Sequence, residues 1–263
     1  MPRVIVTRPE REALQWVAAL QARGIAAQAL PLIAISPPTD ADALQAARDH
    51  ITNYRAVMVV SSNAAQHFFD QNTALTLTGQ AQAAIKTRVW SPGPGTAHAL
   101  QMLGVDAACI DQPAADAAQF DSESLWAQVQ RQIGPGDAVL IVRGTEAGAH
   151  QQGTGRDWLA QQITAAGGRV DFVVAYTRGA PDWTEAQRTQ ARTAASDGAL
   201  WLLSSSQALD NLRAALPGQA WDQALALATH PRIAQAARAL GFASVHECRP
   251  ALTDVAASIE SMP

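Results

Sequence analysis

The chain has 263 residues, 48% of them hydrophobic and 16% charged, against a usual charged fraction of about 25%. That length suits two modest domains or one large one with an interior that needs no disulfide or metal, and the composition excludes disorder, collagen and coiled coil. A formal net charge of −4 argues against nucleic acid as a partner, because phosphate binding needs a basic field.

Along the chain, short apolar runs alternate with helical patterns. Val4-Ile5-Val6 reads as a buried strand, and Ala13, Val17 and Leu20 recur at helical spacing until Gly24 stops the helix. Ala26 to Leu30 reads as the next strand. The alternation continues through Val57–Val60, Val89–Trp90, Ala107–Ile110, Val139–Val142, Val170–Ala175, Leu200–Leu203 and Leu225–Ala228. Apolar runs without polar alternation, separated by helices, predict parallel strands covered on both faces, the α/β doubly wound class.

An internal repeat points to two such lobes, flavodoxin-like or Rossmann-like. Val59-Val60-Ser61-Ser62-Asn63 resembles Leu202-Leu203-Ser204-Ser205-Ser206, and Pro94, Ala97, Ala99, Leu103 and Gly104 match Pro231, Ala234, Ala236, Leu240 and Gly241. The proline-bounded crossing Pro31–Pro38 has a mate in Val173–Arg178. If the two pair, lobe one comprises 1–34 plus 179–263 and lobe two 39–172, with 35–38 and 173–178 as a two-stranded linker. Two crossings imply a hinged cleft, a usual place for a ligand.

Residue types narrow the chemistry. Lys86 is the single lysine, so a Schiff-base or pyridoxal mechanism is not expected. Cys109 and Cys248 lie far apart and the six histidines form no close-spaced ligand set, so a structural zinc is not expected, and two sparse thiols suit a reducing cytoplasm. Charges at Arg8, Glu10, Arg11 and Glu12 leave no room for a signal peptide, and no apolar run is long enough to cross a bilayer. The expectation is a soluble cytoplasmic monomer with no membrane partner.

In a doubly wound sheet, ligands bind beyond the carboxyl ends of the strands. Those positions hold Thr7-Arg8-Pro9, Ser61-Ser62-Asn63, Ser91-Pro92-Gly93-Pro94-Gly95-Thr96, Arg143-Gly144, Ser204-Ser205-Ser206 and Thr229-His230-Pro231-Arg232. Small hydroxylic residues and glycines opening helices leave backbone N–H groups and a positive dipole end for an anionic ligand. Each turn taken alone is equally an ordinary N-cap. Asp121 or Ser122 reads as a structural cap. Tyr176, at the lobe junction, is either a packing residue or a phenol able to donate a hydrogen bond or a proton.

These turns, in this order, resemble the uroporphyrinogen-III synthase family: Val6-Thr7-Arg8-Pro9, Leu30-Pro31-Leu32-Ile33, Ser61-Ser62-Asn63-Ala64, Gly93-Pro94-Gly95-Thr96-Ala97, Asp121-Ser122-Glu123, Val142-Arg143-Gly144 with Gly155-Arg156, Tyr176-Thr177-Arg178 and Ser204-Ser205-Ser206. The resemblance implies two lobes with a cleft site that closes hydroxymethylbilane into uroporphyrinogen III, with loss of water and inversion of the last ring through a spiro intermediate. It implies no metal or cofactor. Tyr176 matches the family's tyrosine and is expected to assist hydroxyl departure, Thr96 matches its threonine, and Arg8, Arg143 and Arg178 are expected to meet substrate carboxylates. Two departures stand out. Thr145 to Thr154 is an insertion, either a lid or a plain loop, and Thr229–Arg232 lacks its repeat partner's glycine. A non-catalytic two-lobed module for a polyanionic ligand is the alternative.

Overall fold

The computed structural model describes residues 2–78, 87–114, 117, 119–146 and 158–262. The chain divides into two compact units, Met1–Ala34 with Gly179–Pro263 (unit 1) and Ile35–Arg178 (unit 2). Unit 1 contains β1 (Val4–Val6), α1 (Glu10–Gln21), β2 (Ala27–Ala29) and α8 (Glu185–Ala194). It continues with β9 (Leu200–Leu203), α9 (Ser206–Ala215), β10 (Leu225–Ala228), α10 (Pro231–Leu240), β11 (Ser244–Glu247) and α11 (Leu252–Glu260). Unit 2 contains β3 (Ala34–Ser36), α2 (Ala41–Asp49), β4 (Ala56–Val59), α3 (Ser62–Phe68), α4 (Gln71–Thr78) and β5 (Arg88–Trp90). Then come α5 (Pro94–Met102), β6 (Ile110–Asp111), α6 (Ser122–Val129), β7 (Ala138–Glu146), α7 (Trp158–Ala165) and β8 (Arg169–Gly179).

Strands β1, β4 and β9 are buried at every position, as expected where helices cover both faces of a parallel sheet. In unit 2, alternate residues of the same strands feed two separate cores. Val57, Val59, Leu140 and Val142 belong to one, and Ala56, Met58, Val139 and Ile141 to the other. A third core joins Val4, Val6, Leu200 and Leu202 in unit 1 to Ala13 and Leu20 of α1 and Val255 and Ile259 of α11.

The sheet orders are β11-β10-β9-β1-β2 and β3-β8-β7-β4-β5-β6. Every pairing from β2 to β11 in unit 1 is parallel, as is every pairing from β8 to β6 in unit 2. Numbered within each unit, and with edge strand β3 left out, the orders are 2-1-3-4-5, flavodoxin-like, and 3-2-1-4-5, Rossmann-like. Laid strand on strand, β2-β1-β9-β10-β11 also matches β8-β7-β4-β5-β6. The same sheet is therefore built twice, and the chain enters the unit 1 copy at its middle, as in a circular permutation. This explains why the sequence repeat covers only half of each unit: β1–β2 and β7–β8 are equivalent in space but displaced in chain order.

Within the repeat, Pro94 and Pro231 both occupy the first turn of their helices, where proline's missing N–H has no intrahelical partner to lose. Gly104 and Gly241, just past those helices, have φ of 92° and 102°, a region that glycine enters without a Cβ penalty. The serine turns register one residue differently from the sequence match. The N-caps are Ser61 and Ser205, so Ser61 corresponds to Ser205 rather than Ser204, because the strands end at Val59 and Leu203.

Two expectations need correction. Arg143-Gly144 is not a turn opening a helix but lies inside β7. Thr145 does not begin a loop: β7 runs on to Glu146 because the long β8 offers partners, Thr177 to Thr145 and Arg178 to Glu146. Ala147 to Thr154, Gly155-Arg156 and Lys86 lie outside the described residues. The segment Ile35–Pro38 begins in β3 and Val173–Arg178 lies in β8, and these are neighbouring strands of the unit 2 sheet. Asp121 caps α6 by accepting from the Ser124 N–H at 2.8 Å. Among the described residues, no helix is long and apolar enough to cross a membrane.

Candidate active site

In both sheets the chain reverses its direction of winding at the same place, between β7 and β4 and between β1 and β9. Ligands of open α/β sheets bind beyond the carboxyl ends of the strands at such switch points. The unit 2 switch holds Tyr176, a side chain enclosed on several sides. The β7–β8 register passes from Arg143↔Val174 to Gly144↔Tyr176, leaving Ala175 as an extra residue in β8. This bulge lets Ala175 and Tyr176, consecutive in sequence, both pack into one core, whereas a regular strand would alternate them. Bulges re-aim side chains in this way.

Tyr176 is 5% exposed, and its ring lies against the backbone of Gly144. A Cβ at Gly144 would fall 2.6 Å from Cε2 and 2.7 Å from Cε1 of the ring, and closer still to Cζ. His67 stacks on the same tyrosine with centroids 5.8 Å apart and planes at 29°. The phenol oxygen sits 3.2 Å from Ser61 Oγ. Ser61 is the N-cap of α3, its Oγ accepting from the Ala64 N–H at 3.1 Å. Ser62 Oγ donates to the Gly95 carbonyl at 3.2 Å, tying the start of α3 to the start of α5, and Asn63 lies in the first turn of α3.

Gly93 caps α5, and its backbone is folded around Ser91, whose Oγ donates to Gly93 O at 2.7 Å and accepts from Gly93 N at 3.3 Å. A Cβ at Gly93 would meet Phe120 Cβ at 3.0 Å, whereas one at Gly95 would meet nothing within 4 Å. Gly95 is thus the open point of this turn. Thr96 is buried within α5. Arg143 is buried with its guanidinium 4.1 Å over the Phe172 ring, and Arg178 pairs with Glu146 at 3.5 Å. Neighbouring Thr145 is 4% exposed with an unpartnered Oγ1.

At the unit 1 switch, Thr7 is buried and its Oγ1 donates to the Leu202 carbonyl at 2.6 Å. Its proton is therefore engaged between β1 and β9. Arg8 pairs with Glu12 at 3.3 Å and lies 4.1 Å over the Trp16 ring. Burial pushes its pKa down, and Glu12 opposes the shift. Arg8 Nε, Ser206 Oγ and Gln207 Oε1 are buried without hydrogen-bond partners. Ser205 caps α9 without a side-chain bond, Ser204 precedes it, and His230 caps α10 through Nδ1, which accepts from Arg232 N at 3.0 Å. Burial, with Asp254 adding to it and Arg8 opposing, pushes the Cys248 thiol up to about 11.

Thiolates are the nucleophilic form, so Cys248 is expected to alkylate at pH 8 on the order of 100-fold more slowly in the folded protein than in urea. Time-resolved iodoacetamide labelling with peptide mass mapping reads this, and equal rates in the two states would refute it. The sign also follows for stability. A folded pKa above the unfolded one favours folding fully below about 9, and that contribution is lost as pH rises through about 11.

The sequence contained no signal for the bulge, the Gly144–Tyr176 contact, the Ser61–Tyr176 pair or the His67 stack, since all four need strands or helices far apart in sequence. Among the described residues, no group of three or more His, Cys, Asp or Glu side chains is placed to hold a metal ion.

The family model described as uroporphyrinogen-III synthase HemD matches residues 15–254. This chain belongs to the uroporphyrinogen-III synthase family. A uroporphyrinogen-III synthase from Chlorobaculum parvum (strain DSM 263 / NCIMB 8327) is 27% identical over 145 residues, 55% of this chain and 54% of that protein. The chain thus spans about half the length of that curated relative. Among solved structures, a mutant uroporphyrinogen III synthase from the extremely thermophilic bacterium Thermus thermophilus aligns with TM-score 0.53 and 15% identity, covering 99% of this chain and 96% of the other. A uroporphyrinogen-III synthetase from Helicobacter pylori 26695 aligns with TM-score 0.54 and 12% identity, covering 99% and 98%. At such identities the structural likeness speaks for the fold. The match takes in most of both units: the unit 2 switch point lies wholly within it, whereas at the unit 1 switch point β9 falls inside and β1, Thr7 and Arg8 precede it.

Proposed function

We propose that this chain is a cyclising lyase that converts hydroxymethylbilane into uroporphyrinogen III, serving tetrapyrrole (haem) biosynthesis as a cytoplasmic monomer without a metal or cofactor. The observation that carries this reading is the buried Tyr176 phenol, held at a switch point by Gly144, His67 and Ser61, in a chain of the uroporphyrinogen-III synthase family.

The chemistry asks for little acid–base equipment. Tyr176 gives its proton to the departing hydroxyl, which leaves as water with the C–O bonding pair while the pyrrole nitrogen's lone pair is drawn toward the carbon it vacates. Ring closure then takes place at the substituted carbon of the last ring, giving the spiro intermediate, which reopens and closes in the inverted sense. The proton lost when the final pyrrole regains aromaticity restores the phenol, so the net change is loss of one water. Orientation supplies most of the selectivity, since the open chain closes unaided to the uninverted isomer.

The substrate's eight carboxylates call for cations and polarised N–H groups. All but one of the chain's nineteen basic residues are arginines, which bind carboxylates through two parallel bonds. The proposed binding groups in unit 2 are Ser62, Asn63, Gly93, Gly95, Thr96, Arg143, Gly144 and Arg178. In unit 1 they are Arg8, Ser204, Ser205 and Ser206, with Thr7 acting through its backbone.

The test supplies freshly generated hydroxymethylbilane, oxidises the product and separates porphyrin isomers chromatographically. Type III product supports the reading, and type I alone overturns it. Tyr176→Phe keeps the ring and removes the proton, and is expected to slow turnover about tenfold or more. Parent turnover in the variant would refute the proton-donor role.

A further inference from the structure

The Tyr176 phenol has one proton to give, and whether it points at substrate depends on what its oxygen does with Ser61, 3.2 Å away. A serine hydroxyl has one donor and two acceptor positions. Ser61 Oγ already accepts from the Ala64 N–H at 3.1 Å as the cap of α3, which leaves its own proton free to be directed at the phenol oxygen. With Ser61 donating, the tyrosine proton is turned away from the protein and toward a leaving group. With the roles reversed, the tyrosine would donate into the helix cap and hold no proton for chemistry. The ring itself cannot swing aside, because the Gly144 backbone and the His67 ring bound it.

We infer that Ser61 is a positioning residue, not a substrate contact: its hydroxyl donates to Tyr176 Oη and so aims the phenol proton outward. This rests on the reading of Tyr176 as the proton donor. Ser61 and Ser205 occupy equivalent caps in the two copies of the sheet, but Ser205 makes no side-chain cap bond. The role therefore belongs to the unit 2 copy.

Two readouts test it. The chain has two tyrosines, so in a Tyr54→Phe background the tyrosine Raman doublet reports Tyr176 alone, and its intensity ratio distinguishes a phenol that accepts a hydrogen bond from one that donates. The acceptor pattern is expected, lost in Ser61→Ala and replaced by the donor pattern in Ser61→Asp. A donor pattern in the parent overturns the proposal.

In turnover assays, Ser61→Asp is the decisive variant. Aspartate caps helices as well as serine does, but an ionised carboxylate only accepts, so it draws the phenol proton inward while keeping α3 intact. Ser61→Asp and Ser61→Ala are expected to lower kcat as far as Tyr176→Phe does, with KM within about twofold of the parent. Ser61→Thr is expected to retain kcat, and the Ser61→Ala, Tyr176→Phe double variant to be no slower than Tyr176→Phe. A raised KM with intact kcat, or multiplying losses in the double variant, overturns the role of Ser61. Slow Tyr176→Phe with undiminished Ser61→Asp sinks the Ser61 role alone, whereas full turnover by Tyr176→Phe sinks the proton-donor reading beneath it.

Discussion

Gly144→Ala is expected to disable turnover at least as severely as Tyr176→Phe, although it adds one methyl group and removes no polar atom. The added Cβ would lie within 2.7 Å of three ring atoms of Tyr176, so the ring must leave its slot. The phenol then parts from Ser61 Oγ and its stacking on His67 is lost. Overpacking of this kind costs about 1–3 kcal/mol of stability, to be read as a lower midpoint in urea unfolding. The decisive control is Gly144→Ala in a Tyr176→Ala background, where the vacated slot accommodates the methyl and the added loss is expected to fall below about 0.5 kcal/mol. If Gly144→Ala alone turns over at the parent rate, the ring has another productive seat and the proposed site geometry is wrong.

Trp201→Ala is expected to be the most damaging single truncation in unit 1. Trp201 is wholly buried in β9, its indole N–H donates to the Ala194 carbonyl at 3.0 Å, and it meets Trp221 edge-on with centroids 5.3 Å apart. Phe242 closes the cluster at 6.2 Å from Trp201 and stacks on Trp221 at 5.3 Å. Removing a buried tryptophan leaves a cavity and costs about 3–5 kcal/mol, and here it also strips a buried carbonyl of its partner, adding about 1–3 kcal/mol. Domains are stable by only about 5–15 kcal/mol, so unit 1 is expected to be largely unfolded at moderate urea while the unit 2 transition stays in place. Trp201→Phe keeps a ring in the cavity and should lose roughly half as much. Denaturant unfolding followed by circular dichroism separates these outcomes, and a loss below about 1 kcal/mol for Trp201→Ala would contradict the packing argument.

Local chain chemistry was enough to write down the fold class. Val4-Ile5-Val6, Val57–Val60 and Leu200–Leu203 lack polar alternation because helices cover both faces of their sheets. Pro94 and Pro231 mark helix starts, and Gly104 and Gly241 mark the turns after helices, because backbone constraints act over one or two residues. The serine and glycine turns beyond the strands, and the strings around Arg8, Arg143 and Arg178, were legible as an ordered family pattern for the same reason. Each is a short contiguous string.

What lay beyond reach was whatever depends on register between distant strands. The shared spatial order of the two sheets was hidden because β1–β2 and β7–β8 are equivalent in space but stand at different places in the chain. The continuation of β7 through Thr145 and Glu146 depends on ladder partners in β8, more than thirty residues away. That the Thr7 hydroxyl is engaged by Leu202 O depends on the pairing of β1 with β9. The bulge at Ala175, which turns Tyr176 onto Gly144 and toward Ser61, is one residue of slippage between two ladders. A side-chain period of two makes such a slip decisive for direction while leaving almost no trace in composition. Residue types and their order specified which groups are present for chemistry, and tertiary pairing alone decided which way they point, because a hydrogen bond is directional and a strand's preferences are not.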